Sequence, residues 1–234
     1  MEQFFASLSD LGAFGKVLEI IALNIVLSGD NAVVIALACR GLPPEQRKIG
    51  IALGAGVAVL LRVVFTVVIA SLLNTPFLRI AGALLLLWIA VKLLVEEPGE
   101  GENIASSDKL IKAVQTVAIA DIVMSLDNVL AIAAVAKDSI ALLIMGLVIS
   151  IPLIVAGASL ITNLLERFPI LIWAGAGLLG WVAGEMLDSD PFLVQQFGAE
   201  LLHKLEYPAA ALGAAIVLTT GYLLKRRHSA APPV

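Results

Sequence analysis

The feature that most constrains this chain is a succession of apolar runs, each long enough to cross a bilayer. A helical crossing needs about 20 mainly apolar residues. Backbone polar groups have no water to bond in hydrocarbon, so only helices and closed barrels can span it. Runs of this kind cover residues 16–38, 49–73, 77–95, 111–136, 139–164, 169–187 and 207–224. With 60% hydrophobic and only 15% charged residues, the chain is too apolar for an ordinary soluble domain. The expected fold class is an all-α membrane protein with seven transmembrane helices. Met1 to Gly15 holds Glu2 and Asp10 and no basic residue before Lys16. It lacks the positive start of a signal peptide, so the first run is expected to stay in the membrane.

Two stretches within these runs repeat each other. Residues 24–31 read Asn-Ile-Val-Leu-Ser-Gly-Asp-Asn, and residues 121–128 read Asp-Ile-Val-Met-Ser-Leu-Asp-Asn. Residues 79–94 and 172–187 also align, with Gly82 facing Gly175 and Trp88 facing Trp181. The chain therefore reads as two copies of a three-helix unit plus a C-terminal helix. Three is odd, so the second copy enters the membrane inverted, a pattern of many secondary transporters. The expected organisation is one transmembrane domain over residues 1–234. Repeat one covers 16–95, an acidic linker 96–110, repeat two 111–188, a surface segment 189–206, the seventh helix 207–224 and a basic tail 225–234. Within the surface segment, Leu193, Phe197, Leu201 and Leu205 recur at four-residue steps. That spacing predicts a short amphipathic helix over 192–205, lying on the membrane or capping the bundle.

Basic residues set the orientation. With the N-terminus outside, the inner segments hold Arg40, Arg47, Lys48, Lys92, Lys109, Lys112, Arg167, Lys225, Arg226 and Arg227. The outer segments hold Lys16, Arg79, Lys137 and Lys204. This asymmetry favours an outer N-terminus and a cytoplasmic C-terminus. Arg62 is left over, in mid-span.

An ionised Asp at the centre of a spanning helix costs about 2.5–3.5 kcal/mol on insertion scales. Asp30 and Asp127 accept that cost at matching places in the repeat, and Asp121 adds a third carboxylate. Antiparallel packing of the first and fourth spans would bring Asp30 and Asn31 towards Asp121, and Asn24 towards Asp127 and Asn128. These two levels are roughly 9 Å apart along straight helices. Gly29 permits a break that would shorten this distance. The metal-ligand candidates are thus Asp30, Asn31, Asp127, Asn128, Asp121 and Asn24. All offer oxygen, which suits Mg, Ca or Mn. The alternative is that these residues only hydrogen-bond across a helix interface. Ser28, Ser125, Glu19, Glu185 and Arg62 are candidates for a supporting or counter-ion role. Arg62 could fill the empty site as a resident counter-ion, or pair structurally with Glu19 or Glu185. Glu185 with Asp188 could form an outer vestibule. Cys39 is the single cysteine, which excludes a disulfide framework. His203 and His228 lie outside the apolar runs, so no buried imidazole site is expected. No Ser-His, Cys-His or zinc-protease motif marks an enzyme, no resident cofactor is expected, and nothing points to nucleic acid.

The paired Ser-Gly-Asp-Asn (28–31) and Ser-Leu-Asp-Asn (125–128), the seven spans and the acidic linker resemble the TerC family of integral membrane proteins. With the run Leu84 to Leu94, the chain looks most like its short YjbE-type members. The resemblance places it with LysE-like transporters and implies manganese as the transported ion, held at Asp30, Asn31, Asp127 and Asn128. Tellurite, suggested by the family's name, is rejected as a direct substrate, because two buried carboxylates repel an oxyanion. The expected activity is export of Mn2+ across a bacterial inner membrane by alternating access, with proton exchange as the coupling. The alternatives are a LysE-like exporter of amino acids or small solutes, and a non-transporting accessory protein for secretion or metalation of exported proteins. The expected partners are a divalent ion, the lipid bilayer, and either a second copy or a component of the secretion machinery.

Overall fold

A computed structural model describes the backbone over residues 29–68, 75–96, 106–136 and 140–230, and side chains over 29–65, 75–96, 108–125 and 147–227. All regular structure among the described residues is helical. In chain order the helices are α1 (Gly29–Cys39), α2 (Pro44–Val68), α3 (Leu78–Val95), α4 (Ser106–Ala136), α5 (Ile140–Arg167), α6 (Ile170–Glu185), α7 (Pro191–Phe197) and α8 (Ala199–Ala230). Stretches of α2, α3, α5 and α8 are long and apolar enough to cross a membrane, and α1 and α6 are shorter apolar helices. Leu60 on α2, Leu84 and Trp88 on α3, Leu153 and Leu160 on α5 and Leu212 and Leu223 on α8 are at least half exposed. Large apolar side chains pointing outward on this many helices are what lipid contact requires.

The contacts define two ends. At one, an Arg40 guanidinium nitrogen donates to the Glu96 carbonyl, tying the exit of α1 to the exit of α3. Arg47 at the start of α2 pairs with Glu166 at the end of α5. Lys225 near the end of α8 lies 5.9 Å from the ring of Trp173 near the start of α6. At the opposite end sits Asp190, fully buried. Its side chain accepts from the backbone N–H groups of Phe77 at 3.3 Å, Arg79 at 3.2 Å and Ile80 at 3.4 Å. It also accepts from Phe192 N–H at 2.9 Å. α3 starts from Phe77 in a left-handed conformation and has no cap of its own. Asp190 therefore caps two helices at once, its own α7 and the distant α3.

α1 and α4, which carry the two motif copies, are shared between two apolar clusters. One side of α1 (Val34, Ala36, Leu37) and of α4 (Ala120, Val123, Met124) joins α3, α6 and α8. The other side (Ala32, Ile35, Cys39 and Ala113, Val117) joins α2 and α5. α6 and α8 meet backbone to backbone. A Cβ added to Gly184 would lie 2.2 Å from the Ala209 carbonyl oxygen, and one added to Gly213 would lie 2.1 Å from that of Gly180. The small-residue stripe of α6 thus serves packing within the chain.

Three boundaries differ from the sequence reading. α2 begins at Pro44, because Pro43 and Pro44 open the helix rather than occupy the loop; the Gln46 and Arg47 N–H groups both bond to the Pro43 carbonyl at 2.9 Å. α4 begins at Ser106, five residues before the apolar run. The 192–205 segment is not one helix. Gly198, at φ 81°, ends α7, and the following residues continue through Pro208 as the first turns of α8. Leu193 and Phe197 therefore lie on a different helix from Leu201 and Leu205.

Gly184→Ala should lower the unfolding free energy by about 1–3 kcal/mol through overpacking. Gly157→Ala, where nothing lies within 4 Å of the new Cβ, should be neutral or slightly stabilising. Thermal unfolding in detergent checks both. Asp190→Ala should cost at least about 1–3 kcal/mol by leaving buried donors without an acceptor, read in the same melt.

Candidate functional site

α2 and α4 run parallel, seated by glycines. A Cβ on Gly50 would lie 3.2 Å from Leu110 Cδ1, and one on Gly54 would lie 3.4 Å from Val117 Cγ1. Two turns further along this seam Arg62 meets Asp121. The Arg62 Nη2 nitrogen donates to Asp121 Oδ1 at 3.3 Å, with the side chains only 3% and 2% exposed. Ser125, one turn on and fully buried, donates its hydroxyl to Asp121 Oδ2 at 3.3 Å. Both carboxylate oxygens of Asp121 are thereby engaged. Charged groups this deep in an apolar bundle are tolerated when paired and hydrogen-bonded.

Asp30, at the start of α1, is half-buried and accepts from Asn31 N–H at 2.7 Å. Asn31 is buried beside it. The Arg62 charge reaches Asp30 as well as Asp121, and the two carboxylates act on each other. Asp30 also lines a cavity of about 350 Å³ with Met124, Val182, Glu185, Met186, Asp188, Ser189 and Glu206. This cavity lies at the end where α6 turns towards α7. Four of these lining residues are carboxylates and none is basic, so it is a place for a cation. Met124 is three residues from Asp121 on α4, so the Arg62–Asp121 pair lies about one helical turn below it. Glu185 is held by the Trp181 indole N–H at 2.6 Å.

The structure thus draws Asp121, Arg62 and Ser125 into one buried group, and places Asp30 and Glu185 on the cavity wall with Asn31 buried beside Asp30. Arg62 bonds to Asp121, a carboxylate of the candidate site, rather than to Glu185, which accepts from Trp181. Asp127 and Asn128 lie on α4, but their side chains fall outside the described residues, as do Glu19, Asn24 and Ser28 entirely. The sequence reading also missed Glu206. It lines the cavity, and with Asp188 and His203 it forms a group whose ligand atoms lie within 4.8 Å of one another. His203 and Glu206 are three residues apart on α8, a spacing that puts both on one face. That spacing was visible in the chain. What hid it was the assignment of 192–205 to a separate surface helix.

A family model described as integral membrane protein TerC family matches residues 9–229. The chain belongs to this family. It is 44% identical over 175 residues, 75% of this chain and 80% of the relative, to "Uncharacterized membrane protein YjbE" of Bacillus subtilis (strain 168). It is also 26% identical over 230 residues to YceF of the same organism, covering 94% of this chain and 87% of that one. A third relative from that organism, YkoY, is 27% identical over 184 residues, 70% of this chain and 57% of its own. No solved structure matches the chain. The TerC-family chain is thus a multi-pass integral membrane protein, as its apolar helices require.

For this TerC-family protein, breaking the buried pair from one side should be far worse than replacing both partners. Asp121→Asn or Arg62→Met alone should cost about 3–5 kcal/mol, and the double replacement distinctly less than their sum. A double-mutant cycle of unfolding free energies in detergent measures the coupling.

Proposed function

We propose that this protein exports a divalent cation, Mn2+, from the cytoplasm by alternating access of two inverted three-helix halves, with α8 completing seven spans. The observation that carries the reading is Asp30, a carboxylate of the duplicated motif. It sits at an acid-lined cavity beside the buried Asp121 and Arg62. A cavity with four carboxylates and no basic lining residue attracts a hard dication and repels an oxyanion. Asp127, Asn128 and Asn24 complete the oxygen set by their place in the repeat. Manganese in particular comes from the family resemblance, since oxygen donors serve magnesium and calcium equally.

Two further features support the inverted arrangement. Repeat-equivalent Trp88 and Trp181 each engage the residue four positions on. The Lys92 ammonium lies 5.5 Å from the Trp88 ring, and Glu185 accepts from the Trp181 indole. The same structural position thus carries a cation at the end of Arg40 and Glu96, and an anion at the end of Asp190. The basic end, with Arg40, Arg47, Lys92, Arg167 and Lys225, then faces the cytoplasm of a bacterial inner membrane. The acidic cavity opens to the outside, as an exit for metal requires.

Inverted membrane vesicles loaded with a Mn2+-sensitive dye test this reading. Wild type should accumulate Mn2+, and Asp30→Asn combined with Asp127→Asn should reduce the rate at least about tenfold. Unimpaired transport by the double variant would end the site assignment. Absence of flux in protein reconstituted alone would favour the accessory role. An imposed pH gradient, acidic in the vesicle lumen that corresponds to the cell exterior, should accelerate export by protonating carboxylates on the release side; a rate indifferent to the gradient removes the proton from the cycle.

A further inference from the structure

We propose that Arg62 is a built-in cation that occupies the site when it is empty and is exchanged for the incoming dication. The inference rests on the cation-transport reading above and assigns Arg62 a place in its cycle. Three observations carry it. Arg62 is almost wholly buried and bonds to Asp121 at 3.3 Å, so a positive charge already sits where a carboxylate would otherwise face hydrocarbon alone. Asp30, the motif carboxylate that lines the cavity, also lies within reach of the Arg62 charge. And the pair lies about one turn along α4 from Met124, which lines the cavity, on the side towards the basic end.

Two alternatives for a buried Asp–Arg pair predict different behaviour. A purely structural pair holds α2 against α4 and is indifferent to metal. An exchanging pair competes with metal, because a guanidinium and a dication at one carboxylate repel each other and draw on the same single negative charge. The 3.3 Å separation is long for a charge-assisted bond, where about 2.7–2.9 Å is usual. Ser125 holds the second oxygen of Asp121 with a hydroxyl, which can also stay in place when a metal is bound because it carries no charge. The guanidinium is the weakly hydrated cation of choice for a dry site. It is tethered, so its local concentration is fixed and it refills the site as soon as the metal leaves.

The test is equilibrium Mn2+ binding to the purified full-length protein in detergent, with wild type, Asp30→Asn, Arg62→Lys and Arg62→Gln. Gln keeps a donor for Asp121 and removes the charge. Arg62→Gln should bind Mn2+ about tenfold to a hundredfold more tightly than wild type, because the competing charge is gone, and should turn over more slowly in vesicles because release is no longer assisted. Arg62→Lys should stay near wild type. Equal or weaker binding by folded Arg62→Gln overturns the exchange. Should Arg62→Gln fail to fold, infrared difference spectra of wild type with guanidino-labelled arginine supply the reading. Mn2+ should shift a guanidinium band that is missing in Arg62→Lys, and no such shift overturns the proposal. Wild-type binding that disappears in Asp30→Asn, with no tightening in Arg62→Gln, sinks the exchange alone. No Mn2+ binding by wild type sinks the cation reading and the exchange with it.

Discussion

An ion pair in an apolar bundle dictates much of this architecture. Asp121 and Arg62 are each almost completely withdrawn from solvent, and removing either would take a hydrogen-bonded counter-charge from the other. Their meeting fixes how far along α4 the helix α2 must sit, and Gly50 and Gly54 let the rest of that seam close. α4 is held by the pair on one side and packs Ala120, Val123 and Met124 into the cluster formed with α3, α6 and α8 on the other. α1 bridges the same two clusters. The motif helices therefore touch both halves of the core, and α4 carries the carboxylate of the buried pair.

Around this centre the two ends have opposite chemistry, and each is closed by a different device. The basic end is tied by side chains reaching backbone and carboxylate: Arg40 to the Glu96 carbonyl, and Arg47 to Glu166 as well as to the Arg40 carbonyl. The acidic end is tied by one buried carboxylate, Asp190, which satisfies the N–H groups that open α3 and α7. Because Asp190 ties the start of α3 to the start of α7 across more than a hundred residues of sequence, the turn carrying Asp188 and Ser189 is held beside the cavity. Close packing of Gly180, Gly184 and Gly213 keeps α8 against α6 just below it.

Much of this was readable from the chain because membrane helices are local objects. Run length and the punctuation of Pro43-Pro44 and Thr75-Pro76 locate them to within a few residues. The duplicated motif singled out Asp30 and Asp121 as candidates, from helix direction and depth alone. What resisted reading depended on distant partners. Nothing near Arg62 says whether it will meet Asp121, Glu185 or another acid, because periodicity gives a face but not the rotation of the neighbouring helix. Asp190 looks like an ordinary N-cap for Pro191, and its second duty at Phe77 exists only after folding. The stripe Leu193, Phe197, Leu201, Leu205 misled because a four-residue recurrence continues across Gly198, whose positive φ interrupts the helix that the pattern implies. The apolar run from 207 understated the last helix, because α8 already begins at Ala199 and accommodates Pro208.

A carrier that works by alternating access must return empty, and the return poses the harder electrostatic problem. Loaded, a dication neutralises its carboxylates. Unloaded, the same carboxylates face a low-dielectric interior with no partner, at a cost that would trap the protein in whichever state admits water. Protons offer one solution and a tethered cation another; the two are compatible at a site with more than one carboxylate. Arg62 covers Asp121, while Asp30 stays at the cavity, where water and protons reach it. Such a division lets one acid be served by the chain itself and the other by solvent. On the proposed export cycle it also accounts for a positive residue in the middle of a span. A bare site would bind metal more tightly and release it less readily, and a transporter is limited by release as much as by capture.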